Sequence, residues 1–154
     1  MTAIGIRVTP SEVYYSILTE EDEGFSIVTV SKVIIPKALE DPDKLTFIRT
    51  TFISIIDEYN IKNAGIKLIE YGVRNPSFFR INVEGIIQEL FANSSIQKYF
   101  YGAIPKIASL IKEDKSNLKR YFKGELEFSE IENWASYKIE ERESIITSFA
   151  ALNL

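Results

Sequence analysis

The chain has 154 residues, 45% hydrophobic and 26% charged with a net charge of -4, and contains neither cysteine nor histidine. That length and composition suit an ordinary globular chain with one core, so a single domain over residues 1–154 is expected. The missing residue types exclude disulfides, thiolate zinc sites and Cys-His or Ser-His-Asp catalysis, leaving carboxylate-bound magnesium or manganese as the main chemistry open to it.

Ala3 to Val8 is a short apolar run closed by Thr9-Pro10-Ser11, and Val13 to Leu18 resumes with β-branched and aromatic residues, which predicts a hairpin. After the acidic turn Glu20 to Gly24, the Val- and Ile-rich segment Phe25 to Ile35 predicts a third strand. Asp41-Pro42-Asp43 supplies helix-start chemistry, and Leu45, Ile48, Phe52, Ile55, Ile56 and Tyr59 recur at helical spacing up to Asn60 and Asn63. Ala64 to Ile69, apolar except for Lys67, predicts a buried strand parallel to the first. Asn75-Pro76-Ser77 then opens a helix with Val83, Ile86, Ile87, Leu90 and Phe91 on its stripe. A fifth strand over Ile96 to Tyr101, a short helix after Pro105, and helices over Lys115 to Phe122 and Ile139 to Leu152 complete the chain, with Trp134 on an irregular connector. A meander followed by crossovers predicts an α/β fold: a central mixed five-stranded sheet with helices on both faces.

The opening Met1 to Arg7 has no basic stretch followed by a long apolar run, and no segment reaches bilayer length, so no membrane association and a cytoplasmic location are expected. The seven glycines are scattered and form no phosphate-binding fingerprint. Charge is unevenly distributed: Lys98, Lys106, Lys112, Lys115, Lys119, Arg120 and Lys123 meet only Glu113 and Asp114, whereas Glu125 to Glu143 is dominated by glutamate. Solvated faces are the plain reading of such runs; a phosphate-attracting patch carried by Lys106, Lys112, Lys115 and Lys119 is the functional one. The clusters Glu20 to Glu23 and Asp57-Glu58 fall in turns and at a helix end and are assigned no role. The aromatics Tyr14, Tyr15, Phe78, Phe79, Tyr99, Phe100 and Tyr101 are expected mainly in the core; an exposed phenylalanine in Phe78-Phe79-Arg80, at the mouth of the fourth strand, would mark a contact surface.

The order of elements resembles the ribonuclease H-like arrangement. Ile4-Gly5-Ile6 before a turn and second strand, Tyr101-Gly102-Ala103-Ile104-Pro105-Lys106 and the basic stretch Lys112 to Phe122 resemble its RuvC-type resolvase branch. The resemblance implies a carboxylate from the first strand, one from the end of the fourth and one or two from the last helix, binding two divalent ions that activate water for phosphodiester cleavage. Here the first-strand position is Arg7, and the fourth-strand position is Glu70 if that strand runs through Ile69 but Leu68 if it ends sooner. On the last helix Glu140 and Glu143 occupy the corresponding positions, three residues apart.

A guanidinium only donates hydrogen bonds and stays protonated, so Arg7 cannot ligate a metal. Two placements are open: Arg7 bridging to Glu70, Glu140 or Glu143, or Arg7 pointing away from a short edge. The expectation is a catalytically silent domain that binds a protein partner or nucleic acid, without cofactor and with a homodimer open to it. The alternative is a magnesium- or manganese-dependent nuclease acting on structured DNA or RNA.

Overall fold

Thr9 folds the first hairpin by accepting hydrogen bonds from the backbone amides of Ser11 and Glu12 through its hydroxyl. In the computed structural model, which describes residues 1–154, this hairpin joins β1 (Thr2–Val8) to β2 (Glu12–Glu20), and β3 (Phe25–Ile34) continues the meander. Then follow α1 (Asp41–Glu58), β4 (Asn63–Lys67), α2 (Phe78–Ala92), β5 (Lys98–Gly102), α3 (Ile104–Leu110), α4 (Lys115–Lys123), a 3₁₀ turn at Trp134–Ser136 and α5 (Ile139–Leu152). The strands form one mixed sheet in the order β3-β2-β1-β4-β5, with β1, β4 and β5 parallel and β2 and β3 antiparallel to their neighbours. The sheet and the helices on its two faces match the sequence expectation, and β1 is central.

Alternation along the strands divides the core. Ile4, Ile6 and Val8 of β1 and Ile66 of β4 face α1 and α2, against Ile48, Phe52, Ile56, Val83, Ile87 and Leu90. Ala3 and Phe100 join the other cluster, with the apolar sides of α3, α4 and α5 and with Trp134. α5 crosses β1 so closely that a Cβ on Gly5 would lie 2.1 Å from the backbone nitrogen of Ser148 and 2.2 Å from the carbonyl oxygen of Ser144. Glycine is required there by space rather than by its own dihedral freedom.

Capping follows local chemistry. Ser77 accepts from the Arg80 amide to start α2, Asp114 accepts from Ser116 to start α4, and Gly124 ends α4 at φ 73°. The connector between α4 and α5 is held by side chains: Trp134 Nε1 donates to the Tyr121 carbonyl, and the Arg142 guanidinium donates to the carbonyls of Phe122, Trp134 and Ala135.

The fourth strand is shorter than its apolar run suggests. The Leu68 amide still reaches the Gly102 carbonyl, but the Ile69 amide turns to the Glu84 carboxylate, so β4 ends at Lys67 and Glu70 lies beyond it. No helix is long and apolar enough to cross a membrane.

Candidate functional site

The parallel register places Arg7 opposite Lys67 at the carboxyl ends of β1 and β4. Both continue the side of the sheet that carries Gly5 and Asn63, the latter bonded to the Ala151 carbonyl of α5, so both side chains lie under that helix. Arg7 Nε donates a hydrogen bond to Glu143 Oε2, and its Nη1 donates to the Val8 carbonyl at 2.8 Å. Lys67 Nζ stands 3.3 Å from Glu70 Oε1 and 3.9 Å from Glu143 Oε1. Glu70 also accepts from the Ile104 amide at 3.0 Å, so the loop after β4 is pinned to the start of α3.

A second pair adjoins the first. Glu84, only 3% exposed, accepts from the Ile69 amide at 2.7 Å and lies 3.7 Å from Arg80 Nε, which itself has no hydrogen-bond partner. Burial pushes the Glu84 carboxyl above its ordinary range, with the Ile69 amide and the Arg80 charge opposing the shift. Burial, followed by repulsion from Arg7, holds the Arg80 guanidinium below its own. Three cations, Arg7, Lys67 and Arg80, thus interleave with three carboxylates, Glu70, Glu84 and Glu143.

Of the carboxylates expected at this site, Glu70 and Glu143 are brought together, while Glu140 is half-exposed and enters no bond with them. A divalent ion fits poorly. Both oxygens of Glu143 face fixed cations, and no group of three or more potential ligands converges anywhere in the chain. Sequence reasoning missed Lys67, Arg80 and Glu84 as members. Lys67 was the one charge in an apolar run, and Glu84 lies three and seven residues before Ile87 and Phe91 on the buried stripe of α2, a place where a lone carboxylate needs a partner.

The expected basic side chains lie elsewhere. Lys106 on α3, Lys112 in the connection, and Lys115 and Lys119 on α4 are all exposed, and none takes part in an ion pair. Leu118 and Phe122 turn the other side of α4 into the core, which leaves Lys115 and Lys119, one helical turn apart, on its outer side. The aromatic set is split rather than mainly buried. Tyr14 and Phe100 are inside, but Phe78 is 80% and Tyr101 56% exposed, and Tyr71, which sequence reasoning passed over, is 97% exposed. β5 is an edge strand, so alternation that buries Phe100 turns Tyr99 and Tyr101 outward.

No protein-family model and no curated protein matches the sequence. Among solved structures, Thermus thermophilus RuvC superposes with a TM-score of 0.74 at 9% identity, covering 99% of this chain and 94% of that one. T. thermophilus RuvC in complex with a Holliday junction substrate gives 0.70 at 11% identity, again over 99% and 94%. The fowlpox virus Holliday junction resolvase gives 0.50 at 12% identity, over 98% and 94%. At such identities the likeness concerns architecture, and the chain has a ribonuclease H-like fold of the RuvC type.

Proposed function

We propose that this chain is a catalytically silent ribonuclease H-like domain that works by binding nucleic acid. The observation that carries the first half is the convergence of Arg7 and Lys67 on Glu143. Metal-assisted phosphodiester cleavage needs converging anions, and here two of the surrounding positions on adjacent strands are basic side chains already joined to the carboxylates. The second half is supported by Lys106, Lys112, Lys115 and Lys119, which stay exposed and unpaired in an acidic protein. Screening confines each charge to roughly 10 Å at moderate salt, so a local patch acts independently of the net charge. One relative in fold, T. thermophilus RuvC, is seen with a Holliday junction, which makes branched DNA a first substrate to try.

The test combines cleavage and binding. Junction, duplex and single-stranded DNA and RNA are incubated with the protein and increasing magnesium or manganese, and retention is measured from about 50 mM salt upward. The expected result is no metal-dependent product and an affinity that falls steeply with salt. Metal-dependent cleavage would establish the nuclease alternative instead. Absence of retention on every nucleic acid would leave a protein partner as the reading, with the exposed Phe78 as its first contact.

A further inference from the structure

A cavity of about 240 Å³ opens at the carboxyl ends of β4 and β5, between α2 and the turn from β5 into α3. Leu68, Tyr71, Ile81 and Tyr101 form much of its wall, and Glu84 and Gln88 supply polar groups. Its size falls just short of the roughly 300 Å³ at which drug-sized sites begin and far exceeds the room one ordered water needs, so it suits a single planar heterocycle.

Charge narrows the choice of occupant. Arg80 and Lys67 already stand beside Glu84 and Glu70, so neither a free cation nor a free anion gains a net attraction there. A neutral ring with hydrogen-bond donors fits better. The Glu84 carboxyl group is oriented by the Ile69 amide, which lies 2.7 Å from Oε1 and 3.3 Å from Oε2, and its oxygens keep further lone pairs to offer. Gln88 donates its amide to the Glu84 carbonyl, which fixes its side chain and leaves its own carbonyl oxygen as an acceptor. Acceptors therefore dominate the polar part of the site. Among the common nucleobases, guanine carries adjacent N1–H and N2–H donors that match a carboxylate with two parallel bonds.

Two further features fit a nucleotide. Exposed tyrosines beside an opening give a base a face to stack on. The stem of Lys106 lies over Gly102, close enough that a Cβ there would come within 2.5 Å of the Lys106 Cβ, so the root of an exposed lysine side chain adjoins a lining residue. We propose that this cavity holds one guanine base, its N1–H and N2–H edge on Glu84 and its ring against Tyr101, with the attached phosphate near Lys106. The inference rests on the nucleic-acid reading for the source of the base, an unpaired guanine in a strand; a free nucleoside offers the same chemistry.

Backbone amide shifts of the intact protein are followed by NMR during titration with guanosine, inosine and uridine. In parallel, single strands carrying one guanine are compared with the same strands carrying an abasic site. Guanosine is expected to move the amides of Gln88, Gly102 and Ala103, and inosine, which lacks the N2 amino group, to bind about tenfold more weakly. Tyr101→Ala, at an exposed position, and Glu84→Gln should each weaken guanosine binding while leaving the rest of the spectrum folded. Strands with guanine should bind more tightly than abasic ones. Silence of those amides towards guanosine, or equal binding of inosine, overturns the proposal even where abasic strands still bind, and then the nucleic-acid reading survives alone. Guanosine shifts with no binding of any strand would support the cavity as a nucleoside site and refute the strand as its source.

Discussion

Arg7 and Lys67 face each other across the parallel pair of β1 and β4, and both side chains reach the same carboxylate, that of Glu143. Glu143 therefore offsets the repulsion between two basic side chains that the sheet forces into adjacency. Replacing it by glutamine should destabilise the protein by about 3–5 kcal/mol, the usual cost of removing one partner of a buried ion pair. The triple change Arg7→Met, Lys67→Met and Glu143→Leu should recover most of that loss, because it removes all three charges together. Urea unfolding of both variants checks this, and equal stability of Glu143→Gln and wild type would show that the cations do not depend on it.

Glu84 gives a pH signature opposite in sign to that of an ordinary paired carboxylate. Its folded pKa is raised above 4.5 by burial, so the native state holds the proton more tightly than the unfolded chain. The stability it contributes is complete below the unfolded pKa and is lost as pH rises through the folded one. Glu84→Gln lacks this titration and should therefore gain on wild type as pH rises from about 4.5, the gap levelling off above the folded pKa. Thermal unfolding of the two proteins across that range reads the difference directly.

Gly5→Ala should be among the most damaging single changes, on the order of 3 kcal/mol, since its methyl group would meet the α5 backbone and not a movable side chain. A loss below about 1 kcal/mol would mean that α5 rides further from the sheet than its close approach at Ser144 and Ser148 implies.

Ile87, fully buried between α2 and the sheet, should cost about 2–5 kcal/mol when cut to alanine, through lost burial and a residual cavity. The measurement is an unfolding midpoint at unchanged denaturant sensitivity.

Reversing Lys115 and Lys119 to glutamate should leave stability within about 0.5 kcal/mol, as both are exposed and outside any ion pair. Their removal should weaken nucleic-acid retention and flatten its salt dependence. Unaltered retention would move the binding surface away from α4.

How far the sequence could be read follows from which signals are local. Hydrophobic spacing placed α1 and α2, and the Thr9-Pro10-Ser11 turn placed the first hairpin, because each depends on neighbours along the chain. The sequence leaves the end of β4 open and the structure takes the earlier stop, which puts Leu68 rather than Glu70 at the fourth-strand position, because that stop is tertiary: the Ile69 amide is taken by a carboxylate from α2. For the same reason Arg7 was visible as an oddity on the first strand, while Lys67, Arg80 and Glu84 read as isolated charges until the sheet register and α2 brought them together. Tyr99 and Tyr101 turned outward because β5 lies at the sheet edge, a position that no local pattern reveals.

Arg142 ties the end of α4 to the connector through three backbone carbonyls, and Gly124 leaves its guanidinium room to do so. The exposed Glu125, Glu127, Glu130 and Glu132 are thereby anchored on a fixed path instead of being free to fold over the lysines of α4. On the proposed nucleic-acid reading, the acidic arm would work as a rudder: a polyanion approaching from that side would be turned away and one approaching the exposed lysines drawn in. Such steering acts on the rate of encounter more than on the lifetime of the complex, and it fades as salt is raised. On that reading, loosening the arm by Arg142→Ala would slow association with nucleic acid even though the lysines themselves are untouched.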